Sequence, residues 1–166
     1  MLPLDQWPAP SRRALIGVFT DIDDTLTTDG AITPDALAAL HALKAAGLHV
    51  IPITGRPVGW SEPFARAWPV DAIVAENGSV ALTLSKKGLK PIPGMDNQLS
   101  KLYQQDATTR AAHYARMQQV AQRVLREVPG AVLAQDSAGR ETDIAIDHSE
   151  FAHLPPAQIA QVVALM

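Results

Sequence analysis

The chain has 166 residues, of which 47% are hydrophobic and 19% charged, and its formal net charge is −3. This length and composition predict a folded protein of one domain, or of one domain and part of another, and exclude a disordered chain. Charges of both signs are scattered along the sequence, so no basic stripe indicates a nucleic-acid partner or a membrane surface. The absence of cysteine excludes disulfides, thiolate catalysis and cysteine–zinc sites.

Residues 1–13 are rich in proline and lack the basic start and apolar stretch of a secretory signal. No apolar run is long enough to span a bilayer. We therefore expect a cytoplasmic protein.

The first predicted strand and helix lie in residues 14–47. Residues 14–20 form a nearly unbroken apolar run, which is typical of a strand buried on both faces in a parallel sheet. Thr33 and Pro34 then predict the start of a helix, as a capping hydroxyl followed by proline at the first helical position. Gly47 is placed to end that helix.

Two further strands continue the alternation. An apolar run at 48–53 predicts the second strand, although Pro52 argues against a fully bonded central strand. A helix at 58–67 and a strand at 72–75 follow. Strand, helix, strand, helix, strand is the order of an α/β protein with a Rossmann-like parallel sheet.

The pattern changes after residue 75. Glu76-Asn77-Gly78 predicts a hairpin turn into a strand at 79–84, and Lys86-Lys87-Gly88 indicates another turn. A long helix is predicted at 108–128, followed by two strands at 131–135 and 141–147 and a last helix from Pro155.

Asp21 and Asp23 stand at the carboxyl end of the first predicted strand, the edge where open parallel sheets bind ligands. Two neighbouring carboxylates repel each other, and a divalent cation would offset that repulsion. Ligation by oxygen alone suits Mg²⁺, so we expect Asp21 and Asp23 to hold it. The Thr25 hydroxyl, with nearby backbone N–H groups, can cradle an anion.

The run Phe19-Thr20-Asp21-Ile22-Asp23-Asp24-Thr25-Leu26 resembles the first motif of haloacid dehalogenase (HAD) superfamily phosphatases, a hydrophobic strand followed by Asp-x-Asp-x-Thr. The resemblance implies that Asp21 is the nucleophile that forms an aspartyl phosphate. It implies that Asp23 is the general acid and base, and that its backbone carbonyl also contacts the metal. The substrate would be a small-molecule phosphate ester.

The second motif of that family is a strand ending in Thr or Ser, which Ile53-Thr54 resembles. The resemblance implies that Thr54 binds the phosphoryl group, and the Gly55 N–H is a second candidate. Arg56 is expected either to contact substrate or to form a surface ion pair. Asn77 either approaches the site or serves only the hairpin.

Gly55-Arg56 and Glu76-Asn77-Gly78 resemble the large-cap branch of the family (type IIB), which includes phosphatases of sucrose phosphate and mannosyl phosphoglycerate. The resemblance implies that residues 1–84 are the first half of the core and that residues 85–166 are an α+β cap. Asp143, Asp147 and His148 then either face a substrate sugar or form the solvent face of a strand.

Two later motifs of the family, a phosphate-neutralising Lys or Arg and a Gly-Asp-x-x-x-Asp-like metal motif, have no match after residue 85. This predicts a chain that stops inside the cap, with an exposed sheet edge and apolar surface. A longer natural chain or a second chain, as in a homo-oligomer, would complete it. The alternatives to a phosphatase are a phosphomutase and a non-catalytic fragment that binds phosphate or a partner.

Overall fold

The computed structural model describes residues 3–84 and 98–166, which contain five α-helices and nine strands. The helices are α1 (Ala9–Arg13), α2 (Pro34–Ala45), α3 (Val58–Ala67), α4 (Ala107–Glu127) and α5 (Pro156–Leu165). The strands are β1 (Gly17–Thr20), β2 (Thr27–Thr28), β3 (Ala31–Ile32), β4 (His49–Pro52), β5 (Ile73–Ala75), β6 (Val80–Leu84), β7 (Leu99–Tyr103), β8 (Val132–Leu133) and β9 (Ile146–Asp147). The turn predicted at 86–88 lies outside the described residues.

Five strands lie side by side in the order β1, β4, β5, β6, β7. β1 and β4 pair in parallel, with Phe19 opposite Ile51. An isolated parallel bridge between Ile53 and Val74 joins β4 to β5. β5, β6 and β7 pair antiparallel. This combination of a parallel sheet with helices confirms the predicted α/β fold class.

Pro52 is accommodated because the ladder between β4 and β5 is interrupted. On that edge the Val50 N–H donates to Asp71 Oδ2 at 2.8 Å, and the Thr54 N–H donates to the Val74 carbonyl at 2.9 Å. Pro52 falls between these two donors, on the same edge, where it has no N–H to contribute. The strand therefore tolerates proline at its last position.

The ends of the two main helices follow local sequence signals. The Thr33 hydroxyl accepts the Ala36 N–H at 3.4 Å at the start of α2, and Gly47 adopts φ +80° just after its end. Asp106 Oδ1 accepts two backbone N–H bonds, at 2.9 and 3.0 Å, in the first turn of α4. These caps satisfy donors that have no partner inside the helix, and both predicted helices are confirmed.

The predicted hairpin between β5 and β6 is present, with Ala75 opposite Val80. Its connection is longer than a two-residue turn. Glu76, Asn77 and Gly78 all have positive φ, at 49°, 56° and 102°. Asn and Gly tolerate this region of backbone space, whereas Glu rarely adopts it.

One strand of the second half was not predicted, and one predicted strand is shorter than expected. Residues 99–103 form β7, whose Leu99 and Tyr103 pack on the hydrophobic core beneath the strands. The strand predicted at 141–147 is reduced to Ile146–Asp147, which pairs with β8. The cause is that the backbone N–H groups of residues 141 and 142 bond to a buried side chain instead of a neighbouring strand.

One face of the five-stranded array is covered and the other is open. α2 packs on β4, and α3 packs on β5, β6 and β7, so Val50 and Leu82 are fully buried. On the opposite face Phe19 is 68% exposed and Leu102 is 71% exposed. The prediction that the first strand is buried on both faces was therefore wrong, because the described helices cover one face only.

The described residues form two hydrophobic clusters. The first lies between the strand array and helices α2 and α3, and the second joins α4, α5, Ala131 and Ile146 of β9. The division into a core at 1–84 and a cap at 85–166 stays a prediction. No helix within the described ranges combines the length and apolar character needed to cross a membrane.

Candidate functional site

The turn after β1 winds around the backbone carbonyl of Ile22. This oxygen accepts the N–H groups of Leu26 at 2.9 Å and Thr27 at 3.1 Å, and the Thr27 hydroxyl at 3.0 Å. The Ile22 side chain is fully buried. Because alternate residues of an extended chain face opposite sides, Asp21 and Asp23 project away from the core. Asp-Ile-Asp thus places two carboxylates at the carboxyl end of β1.

Asp21 is the more accessible of the two acids. The Thr25 hydroxyl lies 3.5 Å from Asp21 Oδ2, the long limit of a hydrogen bond. Oδ1 of Asp21 has no hydrogen-bond partner among residues 3–84 and 98–166. Asp24 adopts φ +54°, which aspartate tolerates, and is exposed. Asp21 therefore presents an uncommitted carboxylate oxygen, as a nucleophile requires.

The end of β4 brings Thr54 to Asp23, because parallel strands end at the same edge of a sheet. The buried Thr54 hydroxyl donates to Asp23 Oδ2 at 3.4 Å and accepts the Arg56 N–H at 3.0 Å. A methyl group on Gly55 would lie 3.0 Å from Asn77 Oδ1, so glycine keeps this approach open.

Arg56 pairs with Asp23. Its Nε donates to Asp23 Oδ1 at 3.1 Å, Nη1 lies 3.5 Å from Asp136 Oδ2, and the guanidinium carbon lies 5.6 Å from the Trp60 ring centroid. Partial burial disfavours the charged guanidinium, but the nearby carboxylates, Asp23 above all, outweigh it and raise the pKa of Arg56. The site thus holds a cation next to the second acid.

A second arginine, Arg140, approaches from the other half of the chain with only 7% of its side chain exposed. Nη1 donates to Asp143 Oδ1 at 2.7 Å and to the Gly55 carbonyl at 3.2 Å, and Nη2 donates to Asp136 Oδ1 at 3.3 Å. Burial opposes its charge, but Asp143 and Asp136 outweigh this and raise the pKa of Arg140. Sequence reasoning missed this residue, since residues 136–140 look like an ordinary turn.

Asn77 lies in the hairpin connection, next to the segment that follows β4. Its N–H donates to the Thr54 carbonyl at 3.2 Å. Its side-chain Nδ2 donates to Asp143 Oδ2 at 3.1 Å. Burial raises the pKa of Asp143, against the opposing effect of Arg140. Asn77 therefore links the Thr54 segment to the other half of the chain.

Glu76 is the largest omission of the sequence reasoning. It is 1% exposed. Oε1 accepts the Val58 N–H at 3.0 Å and the Glu141 N–H at 2.9 Å, and Oε2 accepts the Thr142 N–H at 2.6 Å and the Thr142 hydroxyl. These partners lie 18 to 66 residues away in sequence. The only sequence signal for this buried carboxylate is that an acidic residue stands between an apolar strand and the Asn-Gly turn.

A cleft of about 390 Å³ lies between Asp23 and residues 134–150. Its polar lining comes from both halves of the chain: Asp23, Gly55 and Arg56 from the first, and Asp136, Arg140, His148 and Glu150 from the second. Asp21 and Thr25 lie outside this lining, on the exposed turn. The cleft can hold a small polar molecule beside Asp23.

Other polar residues of the second half of the chain have structural partners. Asp147, which is buried, accepts the backbone N–H groups of residues 149–152 and so shapes the loop that carries His148. Lys101 contacts Glu62 at 3.0 Å and Glu141 at 2.6 Å, which commits its ammonium to these two carboxylates. Lys86 and Lys87 lie outside the described residues.

The acid pair fits Mg²⁺ in the chemistry of its donors. The carboxylates of Asp21 and Asp23 and the Asp23 carbonyl are hard oxygen ligands. Within the described ranges, no cluster of three or more His, Cys, Asp or Glu side chains is arranged to hold a metal. Mg²⁺ is commonly bound by one or two carboxylates, with waters and substrate phosphate supplying the remainder, and the two acids are compatible with that kind of site.

A profile of the haloacid dehalogenase-like hydrolase family matches residues 18–120, which include Asp21, Asp23, Thr54 and Asn77. No curated protein matches the chain. A solved structure from Thermoplasma acidophilum is similar at a TM-score of 0.61 and 14% identity, over 89% of this chain and 55% of that one. This likeness concerns the fold.

Two phosphatases of the HAD superfamily are more distant in overall structure. One from Bacteroides thetaiotaomicron gives a TM-score of 0.48 at 17% identity, over 99% of this chain and 50% of that one. A subclass IIB sugar phosphatase gives 0.34 at 28% identity, over 39% of this chain and 27% of that one. The chain spans about half the length, or less, of these solved structures.

Proposed function

Because the chain belongs to the haloacid dehalogenase-like hydrolases, we propose that it is a Mg²⁺-dependent phosphatase that hydrolyses a small, sugar-type phosphate ester through an aspartyl phosphate. The observation that carries the proposal is the Asp21/Asp23 pair at the carboxyl end of β1, beside the Thr54 hydroxyl. One acid has an uncommitted oxygen for attack, and the other is held in place for proton transfer.

In the first half-reaction the Asp21 carboxylate attacks phosphorus and the ester P–O bond breaks. Asp23 gives its proton to the departing alcohol oxygen. In the second, Asp23 takes a proton from water, the water oxygen attacks the aspartyl phosphate, and Asp21 and inorganic phosphate are released. Bound Mg²⁺ would reduce the repulsion between the Asp21 carboxylate and the anionic ester.

Thr54, Gly55 and Thr25 are the proposed contacts to the phosphoryl oxygens. The Arg56 N–H holds the oxygen of the buried Thr54 hydroxyl in place, and its hydrogen, now donated to Asp23 Oδ2, would turn to a phosphoryl oxygen when the ester binds. The Gly55 N–H lies just before α3, and the Thr25 hydroxyl is beside Asp21. Preset donors of this kind stabilise charge where it develops during transfer.

Arg56 is the proposed cation for the transferring phosphate. An acid that must donate a proton cannot at the same time be the ionised partner of Arg56. We therefore expect Arg56 to leave Asp23 and turn to the phosphoryl group when the ester binds. Arg140, held by Asp136 and Asp143, stays in place and borders the space for the leaving group.

The sugar-type substrate and the large-cap branch are supported by features around the cleft. His148 and Glu150 line it from the proposed cap, at residues 85–166, and can hydrogen-bond hydroxyl groups. Asn77 and Asp143 join this region to the proposed core, at residues 1–84. A polyol phosphate would place its phosphate near Asp21 and its hydroxyl groups in the cleft.

The test is phosphate release from a panel of sugar phosphates and one aryl phosphate, with and without Mg²⁺. Asp21→Asn should lower kcat by roughly 10⁴-fold or more, as removal of a nucleophile does. Asp24→Asn is the matched control, because it makes the same chemical change three positions along, and asparagine tolerates the φ of +54° there. This variant should keep the activity of the parent protein.

Turnover that requires Mg²⁺ and is lost only in Asp21→Asn would support the mechanism. Appearance of a phosphorylated second alcohol in place of free phosphate would identify a phosphomutase. A folded protein without turnover on any substrate would overturn the enzymatic proposal and favour a module that only binds phosphate, a role that the Arg56–Asp23 pair would also allow.

A further inference from the structure

A second pocket, of about 330 Å³, lies between α4 and the end of the β6–β7 pair at which Ser79 and Gln104 stand. We call it the α4 pocket; it is lined by Arg110, His113, Arg116, Gln105, Ser79 and Thr142, among others. It shares no lining residue with the cleft beside Asp23. Its volume reaches the lower end of the range of small-molecule sites.

The charge of the α4 pocket is unusual for this protein. Two arginines and a histidine line it, and none of its described lining residues is an acid, whereas the whole chain has a formal net charge of −3. The cleft beside Asp23, in contrast, is lined by several carboxylates. Glu141, which accepts the Tyr103 hydroxyl, lies near Arg110 but outside the lining. The concave surface itself presents basic side chains and no carboxylate, which raises the local concentration of anions.

Arg110 is held in a fixed orientation. Its guanidinium carbon lies 3.6 Å from the centroid of the Tyr103 ring, and Nη1 is 3.4 Å from the Gln105 carbonyl. Stacking fixes the plane of the guanidinium and leaves N–H groups at its edge for a ligand. A planar, preset guanidinium can bind two oxygens of one anion at once.

The two other basic side chains of the lining, His113 and Arg116, lie on the same side of α4, three and six residues further along. His113 Nδ1 is 3.1 Å from Gln105 Oε1, which orients the imidazole ring. Arg116 makes no ion pair within residues 3–84 and 98–166. A helix places residues three apart on one face, so these three side chains converge on one volume.

We propose that the α4 pocket binds a small anion that carries a phosphate group, at a site separate from the cleft beside Asp23. Arg110 and Arg116 supply the donors, because the Ser79 and Thr142 hydroxyls, which also line the pocket, already donate to the carbonyl and the carboxylate of Glu76. The Thr142 hydroxyl also donates to Glu76, and the Glu76 carboxylate accepts the Val58 N–H at the start of α3. A ligand in this pocket would therefore lie against Thr142, which is hydrogen-bonded to the carboxylate that holds the first turn of α3. The inference does not depend on phosphatase activity.

The experiment follows histidine ring resonances by NMR during titration with inorganic phosphate and with pyrophosphate, at constant ionic strength set by chloride and without Mg²⁺. His113 reports on the α4 pocket, and His148 reports on the cleft beside Asp23. The inference requires saturable shifts of His113. Arg110→Gln and Arg116→Gln should each raise the Kd measured at His113 by about tenfold, the loss of one charge-assisted hydrogen bond.

Arg123→Gln is the matched control, because it removes the same charge from α4 at a position paired with Glu127, outside the pocket. It should leave the Kd at His113 unchanged. Before any anion is added, His148 resonances that match those of the parent protein show that each variant is folded. A His113 signal that does not respond to either anion would overturn the inference. So would a response of equal strength in the parent protein and in both pocket variants.

Discussion

Replacing Glu76 with glutamine should lower the free energy of unfolding by about 1.5–3 kcal/mol, because the change affects a carboxylate that is 1% exposed. A glutamine oxygen in the place of Oε1 can keep the bonds from Val58 and Glu141. Its amide nitrogen would then face the Thr142 N–H, which now lies 2.6 Å from Oε2. One buried backbone donor would lose its charged acceptor, while the Thr142 hydroxyl can rotate to accept instead.

Urea unfolding followed by tryptophan fluorescence measures this loss, since Trp60 and Trp68 lie on and next to α3. Glu62→Gln is the control. It makes the same chemical change at a side chain that is 33% exposed and pairs with Lys101 at 3.0 Å, and it should cost at most about 1 kcal/mol.

Hydrogen exchange locates the effect. The amides of Glu141 and Thr142 both donate to Glu76, and in Glu76→Gln the Thr142 amide should exchange faster than in the parent protein. Equal midpoints for Glu76→Gln and Glu62→Gln, together with unchanged exchange at Thr142, would refute the view that this carboxylate joins the two halves of the chain.

Two further predictions concern the open sheet face and the cap of α4. Leu40→Ala should lower the free energy of unfolding by about 2–5 kcal/mol because Leu40 is 1% exposed. Leu102→Ala, on the open sheet face at 71% exposure, should change it by less than about 0.5 kcal/mol. An equal loss for both variants in urea unfolding would mean that the open face is covered. The hydroxyl of Thr109, then its backbone N–H, lowers the pKa of Asp106. This stabilisation is present above the unfolded pKa of about 4 and is lost as the pH falls through the lower folded value. Thermal unfolding of Asp106→Asn, which keeps the cap without the titration, should therefore be less sensitive to acid than that of the parent protein, and identical pH profiles would contradict this assignment.

The sequence determined the local features of this protein. Thr33 and Pro34 fix the start of α2 because a capping hydroxyl and a preset φ act within one turn. The acid pair is equally local. Ile22 must be buried, so its two neighbours are turned out together at the end of β1. Each of these effects depends on residues a few positions apart, which a pattern in the sequence records directly.

The tertiary structure decided which distant groups meet. Glu76 accepts N–H bonds from residues 65 and 66 positions away, and Arg140 reaches the Gly55 carbonyl across 85 positions. Composition and periodicity do not specify such pairs, because many alternative partners are chemically equivalent along the chain. The exposure of Phe19 is also decided by the tertiary structure. An apolar run predicts a strand, but only the packing of α2 and α3 on one side of the sheet determines which of its faces is buried.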